Sequence, residues 1–176
     1  MGISLPGSKG APMRLIRAWL PTCCIIGTLF LAANATSAEI IGRASTVDGD
    51  TIEIHGARIR LDGVDAPESY QICLANSGRT YRCGQASASE LAAFMASAQP
   101  VSCLPTGRSY DRIVAICRRA DGVEINQWLV ASGYAVDWPK YSQGRYADVE
   151  RSARNSRLGI WSGSFQMPCS VRRTKC

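Results

Sequence analysis

The chain has 176 residues, a length that suits one domain with a core of its own. Its net charge is +6, from 20 Lys and Arg against 14 Asp and Glu, which permits contact with nucleic acid without requiring it. The single histidine, His55, argues against nucleases and Ser or Cys hydrolases that rely on a His base, and against His-ligated zinc enzymes.

Residues 1–38 read as a secretory signal peptide. Lys9, Arg14 and Arg17 form a basic start, Ala18 to Ala33 is uncharged and mostly apolar, and Ala33-Asn34-Ala35 and Thr36-Ser37-Ala38 offer small-residue cleavage sites. The apolar run is interrupted by Pro21 and is shorter than the roughly twenty residues a spanning helix needs. The expected product is therefore exported, periplasmic or extracellular, with no membrane segment left after cleavage. It keeps 17 Lys and Arg against 14 Asp and Glu, a net +3, and 15 of those 17 cations are arginines, which suit bidentate phosphate contacts.

Ile40 to Val47, Thr51 to Ile54 and Ala57 to Leu61 read as a three-stranded meander, with the last two strands alternating in polarity and Gly56 supplying their turn. Folding that hairpin brings Asp48 and Asp50, ahead of its first strand, to the same end as Asp65 and Glu68, behind its second. Carboxylates crowded beside Arg60 call for a cation, and hard oxygen ligands favour calcium or magnesium. An EF-hand is excluded, because Ile52 stands where a third ligand is required.

Downstream, Ser69 to Gly84 reads as a long polar loop. Ser87-Ala88-Ser89-Glu90 has capping-box form, and Ala88, Leu91, Ala92 and Met95 predict a helix with one apolar face. Val101 to Leu104 and Ile113 to Arg118 are the fourth and fifth strands, linked through Pro105-Thr106-Gly107. Asn126 is placed to cap a short helix closed by Gly133, and a third helix is expected from about Tyr146 to Arg157. Once Cys23 and Cys24 leave with the leader, six cysteines remain, which behind an export signal implies disulfides. Six allow fifteen pairings; sequence order favours Cys73 with Cys83, Cys103 with Cys117, and Cys169 with Cys176.

Val47-Asp48-Gly49-Asp50-Thr51, then Ile59 through Glu68, then Tyr110-Asp111-Arg112 with the segment to Gly133-Tyr134-Ala135, resemble in order and spacing the signature segments of the thermonuclease (staphylococcal nuclease-like) family. The resemblance runs from about Ile41 to Trp161, giving a domain at 39–161 and a cysteine-containing tail at 162–176. It implies an α+β fold, a five-stranded OB-fold barrel with about three packed helices. It also implies a monomeric calcium-dependent nuclease acting on DNA or RNA. By resemblance, Asp50, Asp65 and the Ala66 carbonyl bind calcium and Asp48 assists through water. Glu68 orients or deprotonates the attacking water, and Arg60 and Arg112 hold the phosphate. Tyr110, Trp138 and Tyr141 are candidates for stacking on bases. The chain departs from the family pattern at Ala66, where threonine is common, and at Asp111, where glycine is common and a positive φ is the expected demand. A non-catalytic OB-type module for single strands or another anionic ligand is the alternative.

Overall fold

The computed structural model describes residues 38–174 and 176, together with residues 1–4, 7 and 10. The expected signal peptide thus lies almost wholly outside the described residues; among those described, no helix is long and apolar enough to cross a membrane. Contacts separate Met1–Ala35 from Thr36–Cys176, and the second unit holds the elements that follow.

In chain order these are β1 (Ile40–Gly42), β2 (Ala44–Thr46), β3 (Thr51–Ile54), β4 (Ala57–Leu61), β5 (Val64–Asp65), β6 (Ile72–Leu74), β7 (Thr80–Arg82), α1 (Cys83–Ala96), β8 (Val101–Ser109), β9 (Arg112–Arg118), α2 (Ile125–Ala131), β10 (Val136–Asp137), α3 (Pro139–Ser142), α4 (Ala147–Asn155), a 3-10 turn (Gly159–Ser162) and α5 (Pro168–Val171). The main sheet has the order β1-β8-β9-β4-β3-β2, antiparallel throughout except for the β4–β9 pair. Its two edges are consecutive pieces of one strand. The expected single strand from Ile40 is split at Arg43, so that Ile40–Gly42 pairs with β8 and Ala44–Thr46 with β3. No ladder joins β1 to β2; the covalent chain does, and this is the five-stranded OB-fold arrangement. At the bend the Gln99 side chain replaces a missing ladder partner, accepting from Ala44 N at 3.1 Å and donating to Ala44 O at 3.3 Å.

The β3–β4 hairpin turns through His55 and Gly56, both at positive φ, as the favoured two-residue turn requires. Alternation then buries Ile52, Ile54, Ile59 and Leu61, which meet Leu91, Met95, Val101, Ile125 and Leu129 in the main core. Each such fully buried Ile or Leu contributes about 1.5 to 3 kcal/mol. A second cluster forms around Cys73, Cys83, Val136 and Ile160, with Trp161, Phe165 and Met167 packed on it.

Five expectations need correction. Strand β8 does not end at Leu104; it continues through Pro105–Gly107, where a register shift lets it pass the proline, and the turn falls instead at Tyr110 and Asp111. Helix α1 starts at Cys83, so Ser87 is not its cap: the buried Ser87 hydroxyl donates to Tyr134 O at 2.7 Å. Asn126 is likewise no cap. It is buried inside α2, where it accepts from Cys117 N at 3.0 Å and donates to Asp62 O at 3.0 Å and Ala115 O at 3.2 Å. Finally, α3 and α5 add two four-residue helices, each opened by a proline, too short to show a period in sequence. The 69–84 segment is also more than a loop, since β6 and β7 pair within it. The structure joins Cys73 to Cys83, Cys103 to Cys117 and Cys169 to Cys176.

Candidate active site

The β3–β4 hairpin delivers the acids as its polarity requires. Thr51 pairs with Arg60, and Leu61 N donates to Asp50 O at 2.9 Å, so the chain before β3 and the chain after β4 meet at one end of the ribbon. There, Asp50 is almost fully buried, with a relative exposure of 4%, and Asp65 is completely so. Arg60 bridges the two, with Nη1 2.9 Å from Asp50 Oδ1 and Nη2 3.2 Å from Asp65 Oδ1. Asp50 Oδ2 accepts from Ala66 N at 3.3 Å, and Asp48 Oδ1 accepts from Asp50 N at 3.1 Å. Burial pushes the Asp50 carboxyl up to about 6 against the pull of Arg60, with Asp48 and Asp65 adding to the rise. Burial likewise raises Asp65, opposed by Arg172 and Arg60.

These groups open into one cavity of about 740 Å³. Asp48, Asp50, Arg60, Ala66 and Glu68 line it, as do Arg112, Tyr110, Tyr141, Trp138, Lys140 and Arg172. Arg112 enters from the start of β9, and its Nη1 lies 3.4 Å from Thr51 Oγ1. Glu68 is half-buried, with its backbone N donating to Gln71 Oε1 at 3.2 Å. Tyr110 stands 94% exposed on the rim, whereas Tyr141 meets Trp138 edge-on at 4.6 Å. The Trp138 ring in turn faces two guanidinium groups, Arg60 at 5.6 Å and Arg172 at 5.2 Å. The positive φ expected at Asp111 falls on Tyr110, at 56°, so the aspartate puts no strain on this turn.

Every expected catalytic, metal and stacking residue except Asp65 lines the cavity, and Asp65 is held to its wall by Arg60. Sequence reading missed Arg172. Its Nη1 donates to Glu68 Oε1 and its Nη2 to Asp65 Oδ1 at 2.6 Å, from a position 104 residues beyond Glu68. The one available signal was the staple itself, since Cys169 and Cys176 bracket Arg172, Arg173 and Lys175.

The sequence model of the staphylococcal nuclease homologue family matches residues 58–163. The chain belongs to that family. The nuclease-family match takes in Arg60, Asp65, Ala66, Glu68 and Arg112 and begins after Asp48 and Asp50. Among relatives, the succinoglycan biosynthesis protein ExoI of Rhizobium meliloti is 45% identical over 150 residues, covering 84% of this chain and 78% of its own. Uncharacterized endonucleases of Escherichia coli and of Escherichia coli O157:H7 are each 30% identical over 138 residues, covering 74% of this chain and 83% of theirs.

As a site of this family, the cluster passes a chemical test for an oxygen-seeking cation. Asp65 Oδ2 is buried with no hydrogen-bond donor, and leaving such an oxygen unmet is costly unless something cationic comes to it. Among the described residues no three His, Cys, Asp or Glu side chains gather into a ready cage. Asp50 and Asp65 are the two buried aspartates at this point, and hard carboxylate oxygens suit calcium or magnesium.

Proposed function

We propose that the protein is an exported, calcium-dependent nuclease that hydrolyses phosphodiester bonds of DNA or RNA. The observation that supports this reading most is the convergence of Asp50, Arg60, Glu68 and Arg112 on one cavity, with Asp65 tied to it. A pure binding module has no need of a carboxylate base lining the same cavity as two arginines.

Asp50, Asp65 and the Ala66 carbonyl would hold calcium, with Asp48 reaching it through water; bound there, the ion supplies positive charge for the phosphoryl oxygens. Arg112 enters from β9 with a planar fork that matches phosphate geometry, and Arg60, on β4, brings its charge while its two Nη atoms rest on Asp50 and Asp65. The charge of the two arginines is worth most where it develops, on the phosphoryl oxygens of the transition state. Glu68 is half-buried at the cavity wall and takes the proton of an attacking water or fixes its direction. Trp138 is shut in between guanidinium groups, so the exposed Tyr110 and Tyr141 are the better platforms for bases. The three disulfides support a compartment outside the cytoplasm.

Cleavage of single-stranded DNA and of RNA by the purified protein, first with calcium and then with a chelator, tests the proposal. Activity should require calcium, and Asp50→Ala should need more of it. Cleavage that ignores the chelator would refute the calcium assignment. One relative is named for succinoglycan biosynthesis and not as a nuclease, so a second reading stands beside the first, a non-catalytic OB-type module for single strands or another anionic ligand. Binding of single-stranded DNA without cleavage under any metal condition would favour that reading instead.

A further inference from the structure

The C-terminal segment is built to hold one arginine against the acids. Pro168 and Cys169 are buried, and Met167 packs on the second hydrophobic cluster. The Gln71 amide donates to Gln166 O at 2.8 Å, and Leu74 and Ser164 exchange both backbone hydrogen bonds at 2.9 Å. Beyond these anchors the Cys169–Cys176 bridge closes a short loop that contains Arg172. The Arg172 side chain is only 22% exposed, and its two nitrogens divide between Asp65 and Glu68.

Resting on the nuclease reading, we propose that Arg172 is a tethered cation which holds Asp65 and Glu68 in the metal-free protein and competes with the divalent cation for Asp65. The tail thereby sets how much calcium the enzyme needs. Asp65 Oδ1 already receives Arg60 and Arg172, whereas its Oδ2 receives no donor. Arg172 thus meets one half of this carboxylate and leaves the other half to be met. A divalent ion drawn to Asp65 would meet the Arg172 charge at close range, where like charges repel strongly even with the screening of a protein interior. Glu68 gives one carboxylate oxygen, Oε1, to the same guanidinium. Release of Arg172 frees Glu68 and leaves Asp65 to Arg60 alone. Because the two cations share a ligand, the coupling is reciprocal: whatever Arg172 gains from Asp65, calcium must overcome.

Calcium titration calorimetry on the metal-free full chain, run beside thermal melts with and without calcium, tests this on the wild type, Arg172→Gln and Arg172→Lys. Arg172→Gln should bind calcium about tenfold more tightly. It should melt lower than wild type in chelator and gain more from calcium, since a tighter ligand stabilises more at a given concentration. Arg172→Lys keeps the charge but has no fork to span both acids, so its affinity should fall between the two. If Arg172→Gln does not fold, the Arg172→Lys shift decides. Equal or weaker calcium binding in the variants, with DNA still cut, overturns the tethered-cation role and leaves the nuclease reading standing. No calcium binding and no cleavage in any of the three overturns both.

Discussion

Asn126 offers a test in which magnitude separates two readings of one residue. As a helix cap it would be worth about 1 kcal/mol. As the structure has it, its amide joins three places: the Cys117 N–H on β9, the Ala115 carbonyl on the same strand, and the Asp62 carbonyl just beyond β4. Asn126→Ala leaves the Cys117 N–H buried without its acceptor, at about 1 to 3 kcal/mol. The Ala115 carbonyl retains the Asp62 N–H at 2.8 Å, so little is lost there. The Asp62 carbonyl loses its donor, and the fully buried amide leaves a small void, adding about 2 kcal/mol together. The total is about 3 to 5 kcal/mol, which for a domain of this size lowers the melting temperature by roughly 10 to 15 °C. Circular dichroism melts of the disulfide-intact proteins measure it. A fall below about 4 °C would match a cap and refute the interior role.

Arg112→Lys keeps the charge but loses the planar fork, so kcat should drop about a hundredfold to a thousandfold with no rescue by added calcium; full activity would remove Arg112 from the mechanism. A Cβ on Gly84 would sit 1.8 Å from the Glu68 carbonyl oxygen. Gly84→Ala should therefore displace the Glu68 backbone, lowering the melting temperature and slowing cleavage by at least about tenfold; a wild-type rate and melt would contradict that close approach. Burial pushes Glu150 above the usual carboxylate range against the pull of Arg154, with Asp137 adding to the rise. The folded chain thus holds that proton more readily than the unfolded one, so this group costs stability at alkaline pH and the cost fades as pH falls toward its ordinary value. Glu150→Gln should melt higher than wild type in mild alkali, with the gap closing in mild acid, and the opposite order would refute the assignment.

What the sequence made legible was what repeats over a few residues. Ile52, Ile54, Ile59 and Leu61 alternate, and the structure buries all four. The hairpin turn at His55-Gly56 set the register that gathers the acids, so most of the candidate site followed from about twenty residues. What remained hidden depends on partners far along the chain. Ser87 and Asn126 are good caps by type, but hydrogen bonds to Tyr134 and to β9 claimed their side chains. Pro105 read as a break because a proline cannot donate to a ladder, yet a bulge beside it lets the strand continue. Arg172 carries no local mark of its contact with Glu68; only folding brings the two together.

The strand divided between two sheet edges also fixes an order of assembly. Its second half pairs Ala44 with Ile54, a neighbour in sequence, whereas its first half pairs Ile40 with Cys103, 63 residues away. Closing the longer loop costs roughly 1.6 kcal/mol more entropy than closing the shorter one, and contacts of such separation form slowly. The β2–β3–β4 meander can therefore assemble while β8 is still unmade, and β1 must wait for it. Until it docks, the Val101–Cys103 stretch of β8 is an open edge with free amides and carbonyls. A chain cut back past Gly42 would keep that edge permanently and present it as a template for strand pairing with a second copy.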